Sequence, residues 1–267
     1  MSDILKRSLS GLLYMIILIS ALLYSEISFL VLLFVFGIVA IYELQKLLDL
    51  NSYLSYFLFI ALYGIFSFFR ISHETLYIYL IITLLVKLLL IRDLVAINRI
   101  PLFERKKYIL VIFYLIASFV FISKIPFQGD DYRPKILLAI FVMIWTNDTF
   151  AYLIGKQFGK RKLLERISPK KTIEGFLGGM IFTVLAGYVI SLYLPVFTYK
   201  TWVFLGFFTS LFGTYGDLIQ SKLKRQANVK DSGSIMPGHG GLLDRLDSIL
   251  FAGTFIYTFL LIIDYVS

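Results

Sequence analysis

The chain has 267 residues, of which 59% are hydrophobic and only 16% are charged, and its formal net charge is +9. A soluble domain is about half apolar and a quarter charged, so this composition excludes an ordinary water-soluble protein. Because the sequence contains no cysteine, disulfide bonds, thiolate metal ligands and a cysteine nucleophile are also excluded. The positive charge fits anionic lipid headgroups, anionic substrates or both.

Apolar segments of about the length that crosses a bilayer, roughly 17 to 25 residues, recur along the whole chain. Their continuous rather than alternating hydrophobicity favours helices over a lipid-facing barrel. The first segment lacks a signal-peptide cleavage site and is interpreted as a retained helix. We expect an all-α, polytopic integral membrane protein with about nine transmembrane helices. The expected spans are about Gly11–Tyr24, Ile27–Tyr42, Tyr53–Phe69, Leu76–Ile91, Tyr108–Ile122, Ile136–Ile154, Ile173–Leu194, Trp202–Ile219 and Ile249–Val266.

The basic residues are unevenly divided between alternate connections of these spans. With a cytoplasmic N-terminus, 20 of the 26 Lys and Arg residues fall on the cytoplasmic side, five on the opposite side and one, Lys87, within a span. Basic residues concentrate on the cytoplasmic side of membrane proteins. The distribution therefore predicts a cytoplasmic N-terminus and an external C-terminus.

The two parts of the chain differ in their polar content. Residues 1–133, with about five spans, carry few internal charges and are predicted to form an N-terminal transmembrane scaffold. Residues 134–267, with about four spans, have polar residues inside spans and two basic, glycine-containing cytoplasmic loops. We expect this second part to be the catalytic region. No inverted repeat is evident, which argues against a common transporter architecture.

The sixth expected span contains a carboxylate, Asp148, about 9 Å from its cytoplasmic end at 1.5 Å per residue. An ionisable group inside a bilayer is costly, and it usually faces a cavity, a partner or an ion. Asp148 is therefore a candidate metal ligand. The alternative is a structural pair with a lysine or with backbone groups where helices cross.

The loop before the seventh span is a candidate anion site. Ser168 is expected to cap that helix, with Pro169 in its first position, so that backbone N–H groups and lysines face the cytoplasm. The candidate phosphate-binding residues in this loop are Ser168, Lys170, Lys171 and Thr172. The alternative is that the basic loop anchors the protein beside acidic lipids.

A third polar segment follows Asp217, which lies at the end of the eighth expected span. Its glycines would let backbone N–H groups approach a phosphate closely. His239 could hydrogen-bond a phosphate or assist proton transfer, and a structural hydrogen bond is the alternative. The candidate phosphate-binding residues here are Ser221, Lys224, Arg225, Lys230, Gly238, Gly240, Gly241 and Arg245.

Asp244 and Asp247 are three residues apart at the start of the last helix, so their carboxylates share one face. Together with Asp217 they could surround a hard divalent cation. Mg²⁺ prefers oxygen ligands and typically binds through one or two carboxylates and substrate phosphates. The combination of carboxylates, glycines and basic residues therefore predicts a site for a metal-bound, phosphate-rich substrate.

Three motifs between Trp145 and Asp247 combine these polar residues. They are Asn147-Asp148-x-Phe-Ala-Tyr152, Ser168-Pro-Lys-Lys-Thr-x-Glu-Gly175 and the run from Ser221 to Asp247 that includes Pro237-x-His-Gly-Gly. This segment resembles the phosphatidate cytidylyltransferases, also called CDP-diacylglycerol synthases. The first five spans resemble that family only in hydropathy. Two positions differ from its usual pattern, since Gln220 stands where glutamate is common and Met236 where Leu, Ile or Phe is usual.

The resemblance implies a metal-dependent nucleotidyltransferase of phospholipid biosynthesis. Such an enzyme transfers CMP from CTP to phosphatidic acid, giving CDP-diacylglycerol and pyrophosphate. We expect Mg²⁺ as cofactor, held by Asp217, Asp244 and Asp148, with K⁺ as a candidate second cation. The expected catalytic residues are Asp217, Asp244, Asp247 and His239.

The expected surroundings follow from the same resemblance. The partners would be CTP, phosphatidic acid and membrane lipids, without nucleic acid, in a homodimer. The location would be the bacterial inner membrane, with the active site facing the cytoplasm. The alternatives are a CTP-dependent polyprenol or phytol kinase, a CDP-archaeol-type synthase, a cation-coupled transporter that uses Asp148, and a lipid-binding scaffold.

Overall fold

The structure, a computed structural model, describes residues 3–69, 72–129, 131–236 and 240–266. In these ranges the chain is mainly helical, with two short antiparallel hairpins. The helices are α1 (Asp3–Tyr24), α2 (Glu26–Leu48), α3 (Tyr53–Phe68), α4 (His73–Ala96), α5 (Glu104–Ile109), α6 (Ala117–Lys124), α7 (Pro134–Phe158), α8 (Ile173–Tyr193), α9 (Tyr199–Gln226) and α10 (Leu243–Val266). A π-helical segment, Leu110–Ile116, connects α5 and α6. The strands are β1 (Phe127–Gln128), β2 (Asp131–Tyr132), β3 (Lys162–Leu164) and β4 (Ser168–Thr172).

The expected all-α architecture is confirmed in the described ranges, where each of the nine expected spans falls on helical chain. Six helical segments there are long and apolar enough to cross a bilayer, so the chain is a membrane protein. These segments are Glu26–Leu48, Glu104–Lys124, Pro134–Phe158, Ile173–Tyr193, Tyr199–Gln226 and Leu243–Tyr265. The count of nine crossings and the orientation remain predictions.

Two helices near the third polar segment are longer than hydropathy suggests. α9 continues seven residues beyond the expected Ile219, and α10 begins at Leu243, six residues before the expected Ile249. Ser221, Lys224 and Arg225 therefore lie on a helix, although we expected them in a loop. Hydropathy detects only the apolar part of a helix. The polar end of α9 and the polar start of α10 are stabilised instead by contacts such as the hydrogen bond from Lys224 to Asp244.

The interior of the N-terminal part is rich in stacked aromatic side chains. The ring centroids of Phe59 and Tyr63 on α3 are 5.2 Å apart, and Phe34 of α2 lies 5.5 Å from Phe59. The buried Tyr63 hydroxyl donates a hydrogen bond to Leu30 O at 2.9 Å. Offset aromatic pairs add stability to the apolar burial, so this packing stabilises the N-terminal part.

Glycines bring the helices of the second part close together. A Cβ atom on Gly175 of α8 would lie 2.7 Å from Ala151 O of α7, and one on Gly179 would lie 2.9 Å from Asn147 O. A Cβ atom on Gly206 of α9 would lie 2.7 Å from Thr183 O of α8. Small residues at contacts of this kind let membrane helices approach backbone to backbone. The close approach holds the polar residues of α7, α8 and α9 together.

The two parts are also joined through a fully buried lysine. Lys87 of α4 donates hydrogen bonds to Ser118 Oγ at 2.8 Å, Leu250 O at 2.6 Å and Thr254 Oγ1 at 2.7 Å. These partners lie on α6 and α10, so Lys87 connects three helices. The division at residue 133 remains a prediction.

Candidate active site

A cavity of about 610 Å³ lies among α7, α8, α9 and the β3–β4 hairpin. Its lining includes Asp148, Lys170, Lys171, Thr172 and Asp217. Residues predicted to bind phosphate and metal therefore come together from three distant parts of the sequence. We call this space the larger cavity, because a smaller one, described below, adjoins it.

Lys171 and Asp217 form an ion pair at the wall of the larger cavity. Ser221, one turn further along α9, donates a hydrogen bond from Oγ to Asp217 Oδ1 at 3.2 Å. Burial lowers the pKa of Lys171, but the charge and hydrogen bond of Asp217, with the charges of Asp247 and Asp148, raise it above its usual 10.5 overall. Lys171 is therefore a cation at neutral pH.

The N-cap prediction for Ser168 is wrong, because Ser168 begins strand β4 and pairs with Leu164 of β3. The helix starts later, and Thr172 caps α8 by accepting a hydrogen bond from Gly175 N at 3.1 Å. The extended conformation before it places Lys170 and Lys171 beside the larger cavity. Pairing between β3 and β4 outweighs the local signal of Ser and Pro for a helix start.

A second, smaller cavity of about 230 Å³ lies among α1, α7 and α10. Asp244, Arg245 and Asp247 line it together with apolar and aromatic residues such as Tyr14 and Trp145. Asp148 and Ser248 line both cavities, so the two spaces adjoin. The expectation that Asp244 and Asp247 share a face is confirmed. One space thus presents carboxylates and a guanidinium beside apolar surface.

Asp244 accepts hydrogen bonds on both carboxylate oxygens. Lys224 Nζ lies 2.6 Å and Gln220 Nε2 lies 3.3 Å from Oδ1. Ser232 N at 2.8 Å and Gly241 N at 3.0 Å donate to Oδ2, and Ser232 Oγ lies 3.0 Å from the same oxygen. The carboxylate therefore fixes the loop before α10 against the end of α9. Gln220, which replaces the commoner glutamate, donates to Asp244 through its amide.

The glycine-containing loop approaches Asp244 closely. Gly240 has a φ of +91°, and a Cβ atom there would lie 2.9 Å from Asp244 Oδ2. Only glycine adopts this conformation without strain. Gly238 and His239 lie outside the described residues, so their predicted roles stay predictions.

The remaining predicted basic residues have different surroundings. Arg225 donates from Nη1 to Val229 O at 3.1 Å beyond the end of α9, and Lys230 is exposed. Arg245 lines the smaller cavity. Lys222, not predicted as a site residue, is buried and donates to Asp93 O and Ile97 O, both at 2.6 Å, beside the end of α4.

The candidate metal ligands are distributed over both cavities. Asp148 and Asp217 line the larger one, while Asp148, Asp244 and Asp247 line the smaller one. Asp247 is within electrostatic range of Asp217 and Asp148. Within the described ranges, no group of three or more Asp, Glu or His residues is close enough to hold an ion. A shared metal on Asp217 and Asp244 remains a prediction.

Two residues of the N-terminal part reach this region and were not predicted to do so. Glu43 of α2 is buried and accepts hydrogen bonds from the loop before α10. Tyr114, in the π-helical segment, has a buried hydroxyl without a hydrogen-bond partner among the described residues, and it lies within electrostatic range of Asp247 and Asp217. A charged residue near the end of an apolar span, such as Glu43, is visible in the sequence and could have indicated a site residue. The π-helical segment around Tyr114 has no comparable sequence pattern.

The fold and the site define a helical membrane protein with two adjoining cavities, each lined by charged and apolar residues. Its sequence matches the cytidylyltransferase family over residues 5–263. The phosphatidate cytidylyltransferase of Bacillus subtilis strain 168 is 34% identical over 269 residues, 96% of this chain and 97% of that relative. The enzyme of the same name from Staphylococcus aureus strain COL is 42% identical over 156 residues, 58% of each chain. The chain therefore belongs to the cytidylyltransferase family, which confirms the resemblance.

Proposed function

We propose that this protein is a CTP:phosphatidate cytidylyltransferase, which converts CTP and phosphatidic acid into CDP-diacylglycerol and pyrophosphate. The observation that carries the proposal is the junction of the two cavities at Asp148 and Ser248. The lysines of the larger cavity fit the phosphates of a nucleoside triphosphate, and Arg245 beside the apolar and aromatic residues of the smaller cavity fits a lipid phosphate. The near full-length similarity to a relative of that name supports the same substrates.

In the proposed reaction a phosphate oxygen of phosphatidic acid attacks the α-phosphorus of CTP. The new P–O bond forms as the bond between the α-phosphorus and its bridging oxygen breaks, and pyrophosphate leaves. The attacking oxygen is largely deprotonated at neutral pH, so positioning and charge stabilisation matter more than a general base. Lys170 and Lys171 neutralise the phosphates of CTP in the larger cavity. Arg245 neutralises the phosphate of the lipid in the smaller cavity.

We propose that Mg²⁺ is the cofactor and that Asp217 and Asp244 hold it, with Asp148 nearby. The support is chemical, because all three side chains offer the carboxylate oxygens that Mg²⁺ prefers, and it typically binds through one or two carboxylates together with substrate phosphates. A bound Mg²⁺ would stabilise the negative charge of the pyrophosphate leaving group. Lys171 pairs with Asp217 in the absence of the cation. K⁺ is the candidate for a second ion.

The proposed location is the bacterial inner membrane, with nine crossings, a cytoplasmic N-terminus and the site open to the cytoplasm. The excess of basic residues on one side of the expected spans supports this orientation. The charged triphosphate of CTP does not cross a bilayer unaided, so a site that binds CTP has to face the cytoplasm. We also propose a homodimer, and crosslinking in native membranes tests that separately.

Product analysis with labelled CTP tests the function. Purified protein is incubated with Mg²⁺, CTP labelled on the α- or the γ-phosphate, and one acceptor at a time, which is phosphatidic acid, a polyprenol, phytol or an ether lipid phosphate. We expect the α-label in lipid and the γ-label in pyrophosphate. Transfer of the γ-label to a polyprenol or phytol would instead identify a kinase, and activity only with an ether lipid phosphate would identify an archaeol-type synthase. A transporter or a lipid-binding scaffold would leave CTP unconsumed.

A further inference from the structure

Glu43 lies near the end of α2, in the part of the chain predicted to be only a scaffold. Its carboxylate is fully buried and accepts three hydrogen bonds. Leu242 N donates to Oε1 at 3.0 Å, and Leu243 N donates to Oε2 at 2.7 Å. Ser232 Oγ also donates to Oε2, at 2.9 Å. Glu43 therefore binds the loop before α10 at both of its ends.

The fit around Glu43 leaves no spare room. A Cβ atom on either Gly233 or Gly241 would collide with the Glu43 carboxylate. Two of its donors are the backbone N–H groups at the start of α10, where helix geometry leaves such groups without partners and favours a negative charge. The carboxylate thus satisfies donors that would otherwise be buried without acceptors.

Glu43 and Asp244 are linked through shared neighbours. Ser232 Oγ contacts both Glu43 Oε2 and Asp244 Oδ2. Gly241 N donates to Asp244, and the next residue, Leu242, donates to Glu43. The two carboxylates therefore hold opposite sides of one loop, and a shift of the loop on the Glu43 side moves the donors of Asp244.

We infer that Glu43 is a positioning residue, which fixes Ser232 and residues 241–243 so that Asp244 keeps its position beside the smaller cavity. This inference rests on the proposed function for its effect on catalysis. It assigns a role in the reaction to a helix outside the motifs that carry the family resemblance.

Both oxygens of Glu43 act as acceptors, which makes Glu43→Gln a sharp test. The side chain keeps its size, but its amide NH₂ would face a group that now donates to the carboxylate, namely Leu242 N, Leu243 N or Ser232 Oγ. One hydrogen bond would therefore be lost. We expect kcat of E43Q to fall at least tenfold, with a change in KM for CTP below threefold. Glu104→Gln is the matched control, because Glu104 is exposed and pairs only with the nearby Lys107 among the described residues. E104Q should keep the wild-type rate.

A double-mutant cycle separates positioning from general destabilisation. If Glu43 acts through Ser232, the losses in kcat from E43Q and Ser232→Ala overlap, so the double variant loses less than the product of the two single effects. Independent losses that multiply in full would overturn the inference, and so would E43Q turnover within twofold of wild type. If E43Q does not fold, Glu43→Asp, which is one methylene too short to reach all three donors, takes its place under the same criteria.

Hydrogen exchange tests the same inference without substrates. We expect the amides of Leu242 and Leu243 to exchange at least tenfold faster in E43Q, with the amides of α8 and α9 unchanged. Faster exchange throughout the helices would mean that Glu43 only stabilises the fold, which contradicts the inference. A wild-type protein that makes no CDP-diacylglycerol would refute the proposed function alone, since the exchange result does not depend on turnover.

Discussion

Lys171 of strand β4 forms an ion pair with Asp217 of α9 across 46 positions of sequence. The pair closes one side of the larger cavity and presents a cation and an anion to the same space. A substrate phosphate can bind Lys171 while a metal ion binds Asp217. In the substrate complex these two interactions would therefore replace the ion pair between the two side chains.

Replacing Lys171 by methionine should lower turnover by about 100-fold, because one preorganised charge at a reacting phosphate contributes about that much. The rate of CDP-diacylglycerol formation under saturating substrates measures the effect. Lys200→Met is the control, since Lys200 is exposed at the start of α9. Equal activity of K171M and K200M would contradict the assigned role.

Replacing Asp217 by asparagine should lower turnover at least 100-fold and raise the Mg²⁺ concentration needed for half-maximal rate. The amide keeps the shape of the side chain but removes the charge that a hard cation requires. Chelation should abolish wild-type activity, and added Mg²⁺ should restore it. Asp131→Asn, at an exposed ion pair with Arg133, serves as the control and should behave as wild type.

The raised pKa of Lys171 has a consequence for the pH dependence. A cation with a raised pKa is fully charged below its usual 10.5 and loses its charge only as the pH rises above that value. Lys171 should therefore remain charged throughout pH 6 to 9. A fall in wild-type rate within that window that disappears in K171M would show that Lys171 titrates there, contrary to this expectation.

Two glycines with positive φ offer a matched pair of substitutions. Gly240→Ala should cost about 1 to 2 kcal/mol in backbone strain and also disturb Asp244, which the new Cβ would crowd. Gly129→Ala carries a similar strain, with φ at +62°, but has no neighbour within 4 Å. Both variants should lower the thermal midpoint, while only G240A should lose turnover. Equal turnover would show that the loop tolerates a side chain.

The buried Lys87 allows a test of packing against charge. Its partners retain other contacts, since Ser118 Oγ also donates to Tyr114 O. Lys87→Met keeps most of the volume and removes a costly buried charge, so the unfolding free energy should change by about 1 kcal/mol or less. Lys87→Ala leaves a cavity and should cost about 2 to 4 kcal/mol. Thermal unfolding in detergent distinguishes the two, and equal losses would show that the charge dominates.

The sequence allowed prediction of the helical membrane fold because long apolar runs have few alternatives in a bilayer. It also indicated Asp148, Lys171 and Asp217, since charged residues next to or inside spans are expensive and stand out. It did not predict strand β4, because pairing with Lys162–Leu164 is a tertiary effect that local capping signals do not contain. Glu43 was overlooked for a similar reason. Its partners are about 190 to 200 positions away and become visible only in three dimensions.

The shared wall at Asp148 and Ser248 also bears on kinetics. Because a water-soluble nucleotide and a membrane-dissolved acceptor would occupy separate compartments that meet at one boundary, neither has to pass through the other's entrance. Both substrates can therefore be bound at the same time before the reaction, as a ternary-complex scheme requires and a ping-pong exchange does not.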